Sequence, residues 1–125
     1  MRIARKDSWK TEPMPAATAE VPYRRRFSPD EYAKLSRGHI PREMEDKWFL
    51  YLEGATLRAH RSWTGFCIYE VELEAAGRDH VVRRVRANRQ REQYSGGEEE
   101  DLRTLAFLVD ELLLGRRDEE PEGSA

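Results

Sequence analysis

Between residues 46 and 88 apolar and polar side chains alternate with a period of two, and only short turn signals interrupt them. Alternation of that length requires a sheet buried on one face, and connections this short require antiparallel neighbours. Four strands can be read, over 47–52, 55–60, 66–74 and 80–88. Glu53-Gly54 is a hairpin turn, residues 61–65 form a loop, and residues 75–79 form another with Gly77 inside it.

Opposed residues of an antiparallel pair share a face, so the apolar pattern tests the register. With Leu52 opposite Ala55, Ala59 opposite Cys67 and Leu73 opposite Val81, one face adds Trp48, Leu50, Leu57, Tyr69, Val71, Val85 and Ala87, with Arg83 as its only charge. That face is the expected core. The other is mixed, with Lys47 facing His60, Phe49 facing Arg58 and Glu70 facing Arg84.

Leu102, Leu105, Ala106, Val109, Leu112 and Leu113 recur at helical spacing behind the acidic turn Glu98, Glu99, Glu100, Asp101 and ahead of Gly115. An amphipathic C-terminal helix is expected to cover the core face, although such a stripe also suits a homodimer seam. Ser28-Pro29-Asp30-Glu31 is a capping box with proline at the first helical position, and it starts a short helix that stops at Gly38. Its place is open: it covers the mixed face, with Tyr32 and Leu35 on Phe49, Phe66 and Ile68, or leaves that face bare. The expected fold class is α+β, a four-stranded antiparallel meander with a short N-terminal helix and a C-terminal amphipathic helix packed on one face.

Residues 27–115 read as a single α+β domain. Residues 1–26 carry seven basic side chains against three acidic ones, three of the six prolines and no period, and read as a disordered basic arm able to meet nucleic acid or an acidic partner. Residues 116–125, with two arginines against four carboxylates, read as a disordered acidic tail. No apolar run is long enough to cross a bilayer, and none follows the basic residues at the start, so a cytoplasmic protein without a membrane partner is expected. Cys67 is the sole cysteine, and His39, His60 and His80 form no ligand motif, so neither a metal nor another cofactor is expected. A phosphate-binding glycine loop, a dinucleotide fingerprint and an acid pair for general acid–base work are absent.

The unusual residues gather at one end of the sheet. Arg61-Ser62-Trp63-Thr64-Gly65 puts a large aromatic at a hairpin tip, where it either folds back on the core or serves a partner. The register brings Lys47, Arg58, His60, Arg86 and Asn88 to that end, with Arg89 and Tyr94 on the chain leaving the last strand. Cationic side chains neutralise phosphate and aromatic ones stack on a flat ring, so the cluster suits a nucleotide-like small molecule or single-stranded nucleic acid. His60 and Ser62 lie two apart with no acid to orient the imidazole, which is not a catalytic arrangement.

Lys47-Trp48-Phe49, then His60-Arg61-Ser62-Trp63-Thr64-Gly65, then Asn88-Arg89 and Gln93-Tyr94 resemble the signature of an uncharacterised bacterial family loosely associated with ADP-ribose-processing proteins, such as macro domains and ADP-ribosylglycohydrolases. The resemblance spans roughly residues 44–114 and implies a functional neighbourhood without catalytic residues. The expectation is a non-enzymatic binding or accessory module for a ligand such as ADP-ribose. The alternatives are a small enzyme acting on such a ligand and a nucleic-acid or protein interaction module.

Overall fold

Strong alternation puts strands where it is expected, and the chain preceding them adds two more. The computed structural model describes residues 2–115, an α+β fold around a six-stranded antiparallel sheet. In chain order the elements are β1 (Thr18–Glu20), β2 (Arg26–Phe27), α1 (Pro29–Arg37), β3 (Trp48–Glu53), β4 (Thr56–Arg61), β5 (Cys67–Ala76), β6 (Asp79–Asn88) and α2 (Glu98–Ala106), which runs on into a π-helical stretch, Phe107–Leu113. The acidic tail lies outside the described residues. No helix among them is long and apolar enough to cross a membrane.

Strands β3 to β6 are the meander. β1 and β2 both pair with β6, at opposite ends of its free edge, so the count of four strands is corrected to six. The reading of residues 1–26 as a disordered arm is corrected with it: Thr18 pairs with Asn88 and Arg26 with Val81. Between them lies Pro22, which has no N–H to give a ladder, and the edge strand breaks there. Ahead of β1 the chain makes a 3₁₀ turn, Lys6–Ser8, and Ala4 is buried against Phe49 and Tyr51.

Two bulges correct the register. His60 pairs with Cys67 but Ala59 pairs with Tyr69, which leaves Ile68 as the extra residue. Ile68 joins the core, and Cys67 turns to the opposite face with His60. In the second bulge Glu72 pairs with Arg84 and Leu73 with Val82, so Val82 replaces Val81 in the core. The extra residue is Arg83, with its side chain 64% exposed, which explains the one charge that strict alternation placed in the core. At the first hairpin Leu52 pairs with Leu57 instead of Ala55. A slip of two keeps every side chain on its face.

Both helices lie on the apolar face. Ser28 caps α1 as the capping box requires, and Leu35 belongs to one core cluster with Leu57, Val71, Val85, Leu105, Leu108 and Val109. The first helix therefore packs beside the second, Tyr32 stacks on His80, and the mixed face is left to the N-terminal segment. In the π stretch the Leu114 N–H donates to the carbonyl of Val109, five residues back. The stripe is delayed by about a residue, which buries Leu113 and Leu114 while Leu112 stays half-buried and Ala106 is exposed.

Candidate functional site

The β4–β5 loop is a tightly held turn. Gly65, at φ 82°, donates its N–H to the Arg61 carbonyl, and its own carbonyl accepts from His60 Nδ1 and from the Glu12 N–H, both at 2.8 Å. Ser62 is buried: its Oγ donates to the Asp46 carbonyl at 2.8 Å and its N–H to Lys47. His60 and Ser62 thus bond to separate carbonyls. The N-terminal segment braces the loop from outside, with Trp9 Nε1 donating to the Ser62 carbonyl and Lys10 Nζ to that of Trp63, each at 2.7 Å. The Trp63 indole donates from its Nε1 to the Met44 carbonyl, and the residue leaves 62% of its surface exposed.

Beside it opens a cleft of about 530 Å³, lined by Lys47, Arg61, Trp63, Thr64 and Phe66 on one side and by Glu92, Gln93, Tyr94, Ser95, Gly96 and Glu100 on the other. Its charge is divided, with Lys47 and Arg61 facing Glu92 and Glu100. The Arg61 guanidinium lies over the Trp48 ring, 5.0 Å from its centroid, which fixes the cation by a cation–π contact.

A buried polar network sets the far wall. Asp101, fully buried, accepts at Oδ1 from Tyr69 (2.9 Å) and Tyr94 (2.8 Å), and at Oδ2 from Arg89 (2.5 Å). Burial pushes the Tyr94 hydroxyl up to about 12 and raises Tyr69 further, so both remain donors. Asn88 donates to the Cys67 carbonyl and to Gln93 Oε1, and accepts from the Gln90 N–H. These bonds hold residues 89–97 in the curve that makes the wall.

Of the expected ligand residues, Lys47, Arg61, Trp63, Thr64 and Tyr94 line this cleft. Ser62, Asn88 and Arg89 lie behind it, spent on the hydrogen bonds that shape it. Arg58, His60 and Arg86 are on the other side of the sheet, under the N-terminal segment. There Glu70 pairs with Arg58 at 3.2 Å and with Arg86 at shorter range, so the expected Glu70–Arg84 pair gives way to Glu72–Arg84. Lys47 does not face His60 either, because Phe49 does. His60, Cys67 and Glu70 line a void of about 400 Å³ roofed by residues 11–14. Burial lowers the His60 pKa and pushes the Cys67 thiol up to about 12, so both groups are neutral. With its pKa raised by burial, the Cys67 thiol carries little of the thiolate that nucleophilic attack requires.

Asp101 is the residue that sequence reasoning missed. Its signal was visible, since it lies four residues before Leu105, on the apolar stripe, where a carboxylate survives only with partners. Glu92 and Glu100 carried no such mark. No group of three or more His, Cys, Asp or Glu among the described residues is arranged to hold a metal. No family model, curated protein or solved structure matches the chain.

Proposed function

We propose that the chain is a binding module whose ligand, a nucleotide-like molecule such as ADP-ribose, occupies the cleft beside Trp63. The observation that carries this is an indole 62% exposed at the tip of a braced loop, sharing one cleft with Lys47 and Arg61. An exposed aromatic held by hydrogen bonds on the loop behind it is a preorganised stacking surface. Lys47 and the ring-fixed Arg61 suit phosphate oxygens, while Glu92 and Glu100 opposite suit sugar hydroxyls as acceptors. The division of charge favours a single nucleotide over an extended strand, whose successive phosphates would be repelled at the acidic wall. Within the N-terminal segment, Arg25 is paired with Asp110 and Arg26 with Asp79, which leaves less charge for nucleic acid.

The test is calorimetry and thermal shift with ADP-ribose, NAD, ATP and short single-stranded oligonucleotides, on wild type and Trp63→Ala. The expected result is binding of the mononucleotide or dinucleotide ligands, weakened about tenfold or more in Trp63→Ala. Silence across the whole panel would sink the proposal and turn attention to a protein partner. Chromatographic detection of turnover would replace it with an enzyme.

A further inference from the structure

On the helical side of the molecule lies a cleft of about 800 Å³, where the end of α1, residues 38–42, Arg2 and residues 111–115 come together. Arg2, Lys34, Arg37 and Arg42 line it, with Glu111 the only carboxylate among the described residues, and Ile40 and Leu112 supply half-buried apolar surface. Lys34 and Arg37 complement the C-terminal end of the α1 dipole, which accounts for their sign. Arg2 and Arg42 come from other parts of the chain and have no such reason to be there. Arg25, Arg26, Arg58, Arg84, Arg86 and Arg89 all pair with carboxylates. None of Arg2, Arg37 and Arg42 does so among the described residues, and all three are exposed. The cleft therefore gathers three exposed arginines, Arg2, Arg37 and Arg42, that have no carboxylate partner among the described residues, in a chain of net charge −2.

The chain itself passes along this wall. Gly115, at φ 70°, lines the cleft, and after Arg116-Arg117 the sequence reads Asp118-Glu119-Glu120-Pro121-Glu122. We infer that the cleft is a docking site for an acidic extended segment, and that its occupant is residues 118–122 of the same chain. Three residues from Gly115 to Asp118 reach about 10 Å, so the carboxylates start within range of the arginines. Tethering raises the local concentration of the acidic segment to the millimolar range, which compensates for ion pairs that are individually weak. The contact is then salt-sensitive and open to displacement by a stronger acidic peptide.

The test uses the full chain with Asp118→Asn, Glu119→Gln, Glu120→Gln and Glu122→Gln together, and a fluorescent peptide of residues 116–125 followed by anisotropy. The neutralised chain is expected to bind the peptide about tenfold more tightly than wild type, because its own segment no longer competes. Adding Arg37→Glu and Arg42→Glu should remove that binding, as should salt of about 0.5 M. Equal affinity for both chains, or no binding to the neutralised one, would overturn the inference, and so would indifference to the two arginine reversals. The outcome is independent of the nucleotide panel, since no residue of the Trp63 cleft is touched.

Discussion

Under α1 and α2 the sheet presents Leu57, Val71 and Val85, whereas under the N-terminal segment it presents Phe49, Tyr51, His60 and Glu70 with its two arginines. The first surface is closed by leucines that interlock without direction. The second is closed by a thin strap whose fastenings are individual hydrogen bonds: Ala4 N–H to Arg37, Trp9 Nε1 to Ser62, Glu12 N–H to Gly65 and Arg89 N–H to Ala17. Apolar burial stabilises in proportion to area, while an intramolecular hydrogen bond contributes only about 1 kcal/mol net. The helical face is therefore expected to hold the fold, and the strapped face to open first.

The sharpest test of that contrast is the centre of the helical face. Leu108→Ala removes a side chain only 1% exposed and is expected to cost about 2–5 kcal/mol, read as a shift of the denaturant midpoint. A loss below about 1 kcal/mol would mean that the π stretch re-forms around the gap and that the face is less tightly packed than its burial implies.

Gly38 joins the two faces, and its substitution ranks next. It sits at φ 68° between α1 and the sheet edge, and a Cβ there would stand 2.4 Å from the Leu50 carbonyl oxygen and 2.7 Å from Ala4 Cβ. Gly38→Ala combines backbone strain with displacement of the strap, and about 2–3 kcal/mol is expected in the same denaturation measurement. If it proves neutral, the Ala4 contact contributes nothing to stability.

The same contrast explains what could be read from the sequence. The helical face announces itself by period: alternate residues in β3 to β6 and a 3.6-residue stripe in α2. The strap has no period, since its residues are placed by main-chain bonds that almost any sequence can make, so β1 and β2 were hidden in a basic, proline-bearing stretch. The bulges at Ile68 and Arg83 were hidden for a related reason, because strict alternation carries Cys67 and Val81 inward. Arg83 among core residues was the visible symptom. Half of the cleft was legible for the same cause: Lys47, Arg61 and Trp63 lie on or beside regular strands, while Glu92 and Glu100 lie on a wall shaped by Asn88 and Asp101.

On the strapped face a single fastening can be cut. Trp9→Phe keeps an aromatic ring and removes the N–H that reaches Ser62, on a residue 36% exposed, so about 1 kcal/mol of stability is expected to go. Hydrogen exchange at the amides of Glu12 and Gly65 should speed up while the amides between β5 and β6 stay protected. Loss of protection on both would show that strap and sheet open together and would remove the distinction between the faces.

The smallest effect concerns the imidazole that burial holds neutral beneath the strap. His60 is 2% exposed, its Nδ1–H donates to the Gly65 carbonyl, and its buried Nε2 has no partner among the described residues. Burial lowers its pKa from 6.5, so the unfolded chain takes up a proton at a higher pH than the folded one. The neutral imidazole's contribution is complete above the unfolded value and is lost as pH falls from there toward the folded value. Wild-type stability should therefore decline as pH drops from about 7.5 to about 5.5. His60→Asn retains an N–H for the Gly65 carbonyl and cannot titrate, so its stability should fall less over the same interval, whatever the substitution costs at neutral pH. Carboxylates contribute equally to both chains, and the difference between the two slopes isolates the imidazole. Parallel slopes would mean that the strap already opens enough to hydrate His60, which would make the second face looser than its hydrogen bonds suggest.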